Sequence, residues 1–133
     1  MANLNSMKVS LKLEDQGAWV PVFQDAEVKL RRLSYPKYRD EASELTKPLL
    51  KRIRAGSIEV DELRRAVAPA FARHIMVDWK NIEGDEGEIE FSYEAALEIL
   101  LKPEFKEFYE LLWDEATAVE NFRQARLDEA EGN

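Results

Sequence analysis

Ala18-Trp19-Val20-Pro21-Val22-Phe23-Gln24-Asp25-Ala26-Glu27-Val28-Lys29-Leu30 holds two short extended runs about a two-residue polar turn. The second run sets Ala26, Val28 and Leu30 on one face and Glu27, Lys29 and Arg31 on the other, the period of a half-buried strand. Pro21 has no N–H to give a ladder, so the first run belongs at a sheet edge or beside a bulge. Upstream, Met7, Val9, Leu11 and Leu13 alternate with Lys8, Ser10 and Lys12, which predicts a third strand joined through a turn at Glu14 to Gly17. The three runs make an antiparallel β-meander over residues 7–33. A sheet this small buries one face and is marginal alone, so helices downstream must cover it.

Those helices are legible from spacing and punctuation. Pro36 suits a first helical turn, and Tyr38, Ala42, Leu45, Leu49 and Ile53 follow at helical spacing, with Pro48 set to kink or split the helix. Gly56 is placed to end it. Val60, Leu63, Val67, Ala70, Phe71, His74 and Ile75 predict a second helix reaching Lys80, bent or divided at Pro69. The stretch from Trp79 to Phe108 then reads as a helix exit, an acidic turn with Gly84 and Gly87, a short extended piece at Ile89 and Phe91, and a helix capped by Ser92. Pro103 opens a last helix, striped by Phe105, Phe108, Tyr109, Leu112, Ala116, Val119 and Phe122. The expectation is one α+β domain over residues 1–133: a small N-terminal antiparallel β-hairpin or meander, then four to five α-helices across residues 36–126. Residues 1–6 and 127–133 are expected to be disordered.

Composition narrows the function classes. The chain has 133 residues, 45% hydrophobic and 35% charged, which describes a globular protein with a heavily charged surface. Without cysteine it has no disulfide, thiol nucleophile or thiolate metal site. The first residues lack the basic and apolar regions of a secretory signal, and no window has the length of a membrane span, so a cytoplasmic protein with no membrane partner is expected. The net charge of −8 is unevenly spread: residues 1–82 carry a net of +4 and residues 83–133 a net of −12. Such halves suit head-to-tail self-association, or are simply solvated helix faces.

No residue pattern points to catalysis, a cofactor or a metal, and no enzymatic activity is expected. His74 is the only histidine and lies on an apolar stripe, which reads as a core or boundary position. The acidic loop Glu83, Asp85, Glu86, Glu88 and Glu90 lacks the ligand spacing of a calcium loop. Lys29, Arg31, Arg32, Lys37 and Arg39 form the densest basic cluster, but Asp25, Glu27, Asp40 and Glu41 dilute it, so no nucleic-acid partner is expected. The last helix is apolar over more than one stripe, with Leu111 and Trp113 off its main face. Partner contact is therefore expected at Asp85, Glu86, Glu88, Leu111 and Trp113.

Trp79-Lys80-Asn81-Ile82, the acidic glycine turn, Ile89-Glu90-Phe91-Ser92, Ala95-Ala96 and Leu100-Leu101 look like the tail assembly chaperones of long-tailed bacteriophages. In that family a tryptophan leaves a helix and precedes an acidic, glycine-containing turn, and a phenylalanine-serine or tyrosine-serine step caps a helix ending in paired leucines. Glu27-Val28-Lys29-Leu30-Arg31-Arg32-Leu33 also resembles the family's N-terminal part, while Pro48 and Pro69 depart from it. The resemblance implies a protein of the host bacterial cytoplasm, absent from the mature virion, that binds the tape measure protein and keeps it soluble. It further implies that a −1 ribosomal frameshift appends a domain recruiting the major tail tube protein, the present chain being the short product. Glu131-Gly132-Asn133 can be encoded as GAG-GGA-AAC, which contains a slippery heptamer. The competing reading is a small acidic phage or bacterial protein that inhibits a nucleic-acid-binding partner by presenting carboxylates.

Overall fold

In the computed structural model, which describes residues 1–132, the two extended runs form β1 (Ala18–Phe23) and β2 (Ala26–Leu30). They pair antiparallel, with Ala18 opposite Leu30, Val20 opposite Val28 and Phe23 opposite Ala26. Gln24, at φ 49°, makes the turn. Pro21 lies on the edge strand, and the register shifts between Pro21 and Phe23, so the missing donor falls both at an edge and at a bulge. Ala26, Val28 and Leu30 are all at or below 1% exposure, as the alternation requires. Asn133, the end of the tail expected to be disordered, lies outside the described residues.

The third strand is not the one predicted. Residues 7–13 do not form a strand: a 3-10 turn spans Leu4–Met7 and α1 spans Leu11–Gln16. Ser10 caps α1, its Oγ accepting from the Leu13 N–H at 3.1 Å, and Gly17 ends it at φ 94°. The alternation misleads because its apolar face is only partly covered: Val9 and Leu13 are half-buried, but Met7 is 60% exposed and Leu11 77%. Only Val9 makes a bridge, to Arg123, and the Ser10 N–H donates to the Phe122 carbonyl at 2.7 Å.

The place beside β2 is taken by β3 (Met76–Lys80), within the segment expected to be helical. β3 runs antiparallel to β2, with Val28 opposite Trp79 and Leu30 opposite Met76. The preceding helix, α4 (Val60–Ala70), closes one residue after Pro69 and passes into a π-helical turn, Phe71–Ile75. Proline removes a helical donor and crowds the carbonyl four residues back, so the helix cannot continue unperturbed. The emerging carbonyls are caught across the sheet: the Arg31 N–H donates to Ile75 at 2.8 Å and its guanidinium to His74 at 3.0 Å. Trp79 is thus a buried strand residue, not a helix exit.

The other breaks follow the punctuation. Pro48 splits the first downstream helix into α2 (Pro36–Thr46) and α3 (Leu50–Arg54), with a 3-10 turn between them. Ile82 leads into a two-residue hairpin, β4 (Glu83–Gly84) with β5 (Gly87–Glu88). Ser92 caps α5 (Tyr93–Leu101), its Oγ accepting from the Ala95 N–H at 3.0 Å, and Pro103 opens the turn before α6 (Lys106–Thr117).

The single last helix expected through Phe122 divides after Thr117. A 3-10 turn covers Val119–Phe122, and α7 covers Gln124–Glu131. Buried Asn121 makes the break, its amide donating to the Glu115 backbone carbonyl at 2.9 Å and carboxylate at 2.8 Å, a side-chain alternative to continued helix.

One hydrophobic core joins the buried sheet face to α4, the π-turn, α5 and α6. Phe71 is its hub, meeting the rings of Tyr109 at 5.2 Å, Trp113 at 5.5 Å and Tyr38 at 6.3 Å.

Candidate functional site

The acidic hairpin is clamped at its base. The Ile89 N–H donates to the Ile82 carbonyl at 2.8 Å, and the Trp79 indole N–H donates to the Ile89 carbonyl at 2.7 Å. Phe91 sets its ring edge-on to Trp79 at 5.0 Å. The tryptophan is therefore the anchor that β3 provides for the loop after it. Gly87, at φ 105°, makes the tight return possible. Asp85 and Glu86 stand at the tip, and all four hairpin carboxylates are exposed.

Between this hairpin, α5 and α6 lies an open groove of about 1090 Å³. Its apolar lining comes from Phe23 at the end of β1, Ile82 and Ile89 at the hairpin base, Ile99 on α5, and Phe105, Phe108 and Leu111 at α6. Phe23 and Phe108 meet edge to face at 5.8 Å, which ties the β-hairpin to the groove wall. Phe23 is 43% exposed and Phe105 41%. Among the described residues its rim is acidic, with Glu83, Asp85, Glu86, Glu88, Glu98 and Glu107 beside a single cation, Lys102.

Of the five residues singled out by sequence, Asp85, Glu86, Glu88 and Leu111 come together in this groove. Trp113 does not. It stacks on Phe71 with a 7° angle between the rings, lies 6.1 Å from Tyr109, and has the Arg64 guanidinium 5.3 Å above it. The two residues left open between core and contact by the pattern of α6 thus separate, because positions two apart on a helix point different ways. The contributions of Phe23, Ile99 and Glu107 were not found by sequence reasoning. Phe23 gave one signal: a large aromatic placed last in its strand, beyond the buried Ala18–Val20 pair.

His74, Arg31 and Arg32 have internal partners. His74 sits at the core boundary with Nε2 3.2 Å from Glu41 Oε1, and Arg73 donates to both oxygens of the same carboxylate at 2.7 and 2.8 Å. In the basic cluster, Arg32 pairs with Glu14 at 2.7 Å, and Arg31 is committed to the Asp15 and His74 carbonyls and the Tyr35 ring. A smaller hollow of about 330 Å³ lies over this Arg32–Glu14 pair. Among the described residues no three His, Asp or Glu side chains are grouped to hold a metal ion, and no helix is long and apolar enough to cross a membrane.

Comparison with known proteins places this surface in a family context. No curated protein and no solved structure matches the chain. The pattern of the YdaY prophage protein family matches residues 33–133, which include the acidic hairpin, α5 and α6. Spanning well over half of its length, that match shows that the chain belongs to the YdaY prophage protein family.

Proposed function

We propose that this prophage protein is a tail assembly chaperone without enzymatic activity. In this reading it binds the tape measure protein in the host cytoplasm, keeps it soluble, and is absent from the mature virion. The observation that carries the proposal is the groove between the acidic hairpin, α5 and α6. Exposed apolar side chains on a scaffold anchored by Trp79 and Phe108 suit the apolar faces of a long helical chain, in the manner of helix-in-groove recognition. Prophage membership and the resemblance of the Trp79 to Leu101 stretch support the same reading. A longer product made by −1 frameshifting would bring major tail tube protein to the complex.

Co-expression with the tape measure protein encoded by the same prophage tests the proposal. Soluble tape measure protein, recovered together with this chain, is the expected result. Tape measure protein equally insoluble with and without the chain would refute it. The acidic rim also suits an inhibitor of a nucleic-acid-binding partner. That reading predicts binding governed by salt alone and untouched by Leu111→Glu, whereas a chaperone loses its partner in that variant.

A further inference from the structure

The rim and floor of the groove specify what kind of helix fits it. Glu83 and Glu88 stand directly opposite each other across the hairpin, and Asp85 and Glu86 follow at the tip. Like charges facing across a strand pair destabilise it. Among the described residues no lysine or arginine forms an ion pair with these four carboxylates, and Lys102 is held by Glu98 at 3.4 Å. The repulsion is thus built in and left for an incoming cation to relieve. The uncharged side chains of the lining are aliphatic and aromatic, and no buried side-chain polar atom among the described residues lacks a partner. A small polar ligand would need such fixtures to orient it.

An apolar trough beside unpaired carboxylates is the complement of a helix whose apolar stripe is flanked by lysine and arginine. We propose that the groove binds a basic amphipathic helix. Its apolar residues, spaced i, i+3 or i+4, and i+7, seat on Phe105, Phe108 and Leu111, and its cations lie over Asp85, Glu86, Glu88 and Glu107. This names the partner class of the surface described under the proposed function and rests on that surface being the contact site.

Two synthetic helical peptides sharing one leucine stripe test it, one with lysine and arginine flanks and the other with glutamate flanks. Fluorescence anisotropy with the full chain should show the basic peptide binding at least about tenfold more tightly. The combined variant Asp85→Asn, Glu86→Gln, Glu88→Gln should erase most of that preference, and Leu111→Glu should abolish binding with an unchanged circular dichroism spectrum. Equal affinity for both peptides overturns the inference, as does undiminished binding by Leu111→Glu. The two proposals fail separately. Tape measure protein kept soluble with no preference for the basic peptide sinks only this inference. Selective basic-peptide binding with insoluble tape measure protein sinks only the chaperone assignment.

Discussion

Leu111 and Trp113 are two residues apart on α6, yet they carry different predictions because their surroundings differ. Trp113 is stacked on Phe71 and braced by Tyr109, so Trp113→Ala removes aromatic contacts from the core. A loss of about 3 kcal/mol is expected in urea unfolding, at the lower end for aromatic truncation because the ring is only partly buried. Leu111→Glu should leave the unfolding free energy within about 1 kcal/mol of the parent while removing partner binding, read by pull-down. Tyr109 donates its hydroxyl to the Arg64 carbonyl at 2.8 Å, and burial raises its pKa, with Tyr38 adding to the shift and Arg64 opposing it. Tyr38 is pushed up to about 12, again by burial. An unfolded tyrosine ionises near pH ~10, so the stabilisation from holding these phenols neutral is complete below that pH. It is lost as pH rises from there through about 12. Thermal unfolding across this window should show the midpoint falling with pH, and Tyr38→Phe should flatten the decline. At pH near 7, Tyr109→Phe should cost about 1 kcal/mol for the lost hydrogen bond.

At the scale of elements, the punctuation marks were reliable and the periodicities less so. Ser92, Pro48 and Pro103 act within one helical turn of themselves, and each ends or starts a helix where its chemistry requires. Residues 7–13, 76–80 and 118–122 are the exceptions. Alternation is evidence for a strand only if one of its faces is buried, and Met7 and Leu11 remain in solvent. Ser10 instead caps α1, so Ser10→Ala should lower stability by about 1 kcal/mol in chemical denaturation. Gly17 tells the same story from the other end of α1. Its φ of 94° is unfavourable for a side chain, and an added Cβ would lie 3.2 Å from the Leu30 carbonyl oxygen and from the Lys29 and Val77 side chains. Gly17→Ala is therefore expected to cost more than about 1 kcal/mol, measured the same way.

Across the whole molecule, the charge asymmetry seen in composition becomes a local feature. Six of the sixteen carboxylates in residues 83–133 line one groove, on the side of an apolar floor. That arrangement predicts partner binding that weakens with salt yet persists at high ionic strength, because screening acts on the rim and not on the buried apolar contact. Titrating sodium chloride in a pull-down checks this. Complete loss by moderate salt would point to carboxylates acting alone.

Much was decided by sequence without help: the α+β class, the β1–β2 hairpin with Pro21 at its edge, the cap at Ser92, and the proline breaks. All of these depend on neighbours a few residues apart, where backbone sterics and local hydrogen bonds dominate. The pairing partner of β2, the folding of residues 11–16 as helix and the separation of Leu111 from Trp113 were decided by tertiary structure. Each turns on a contact between distant segments, such as Arg31 with His74 and Ile75, Ser10 with Phe122, or Trp113 with Phe71. Such contacts choose among several locally acceptable conformations according to which one buries apolar surface and leaves no polar group unpaired.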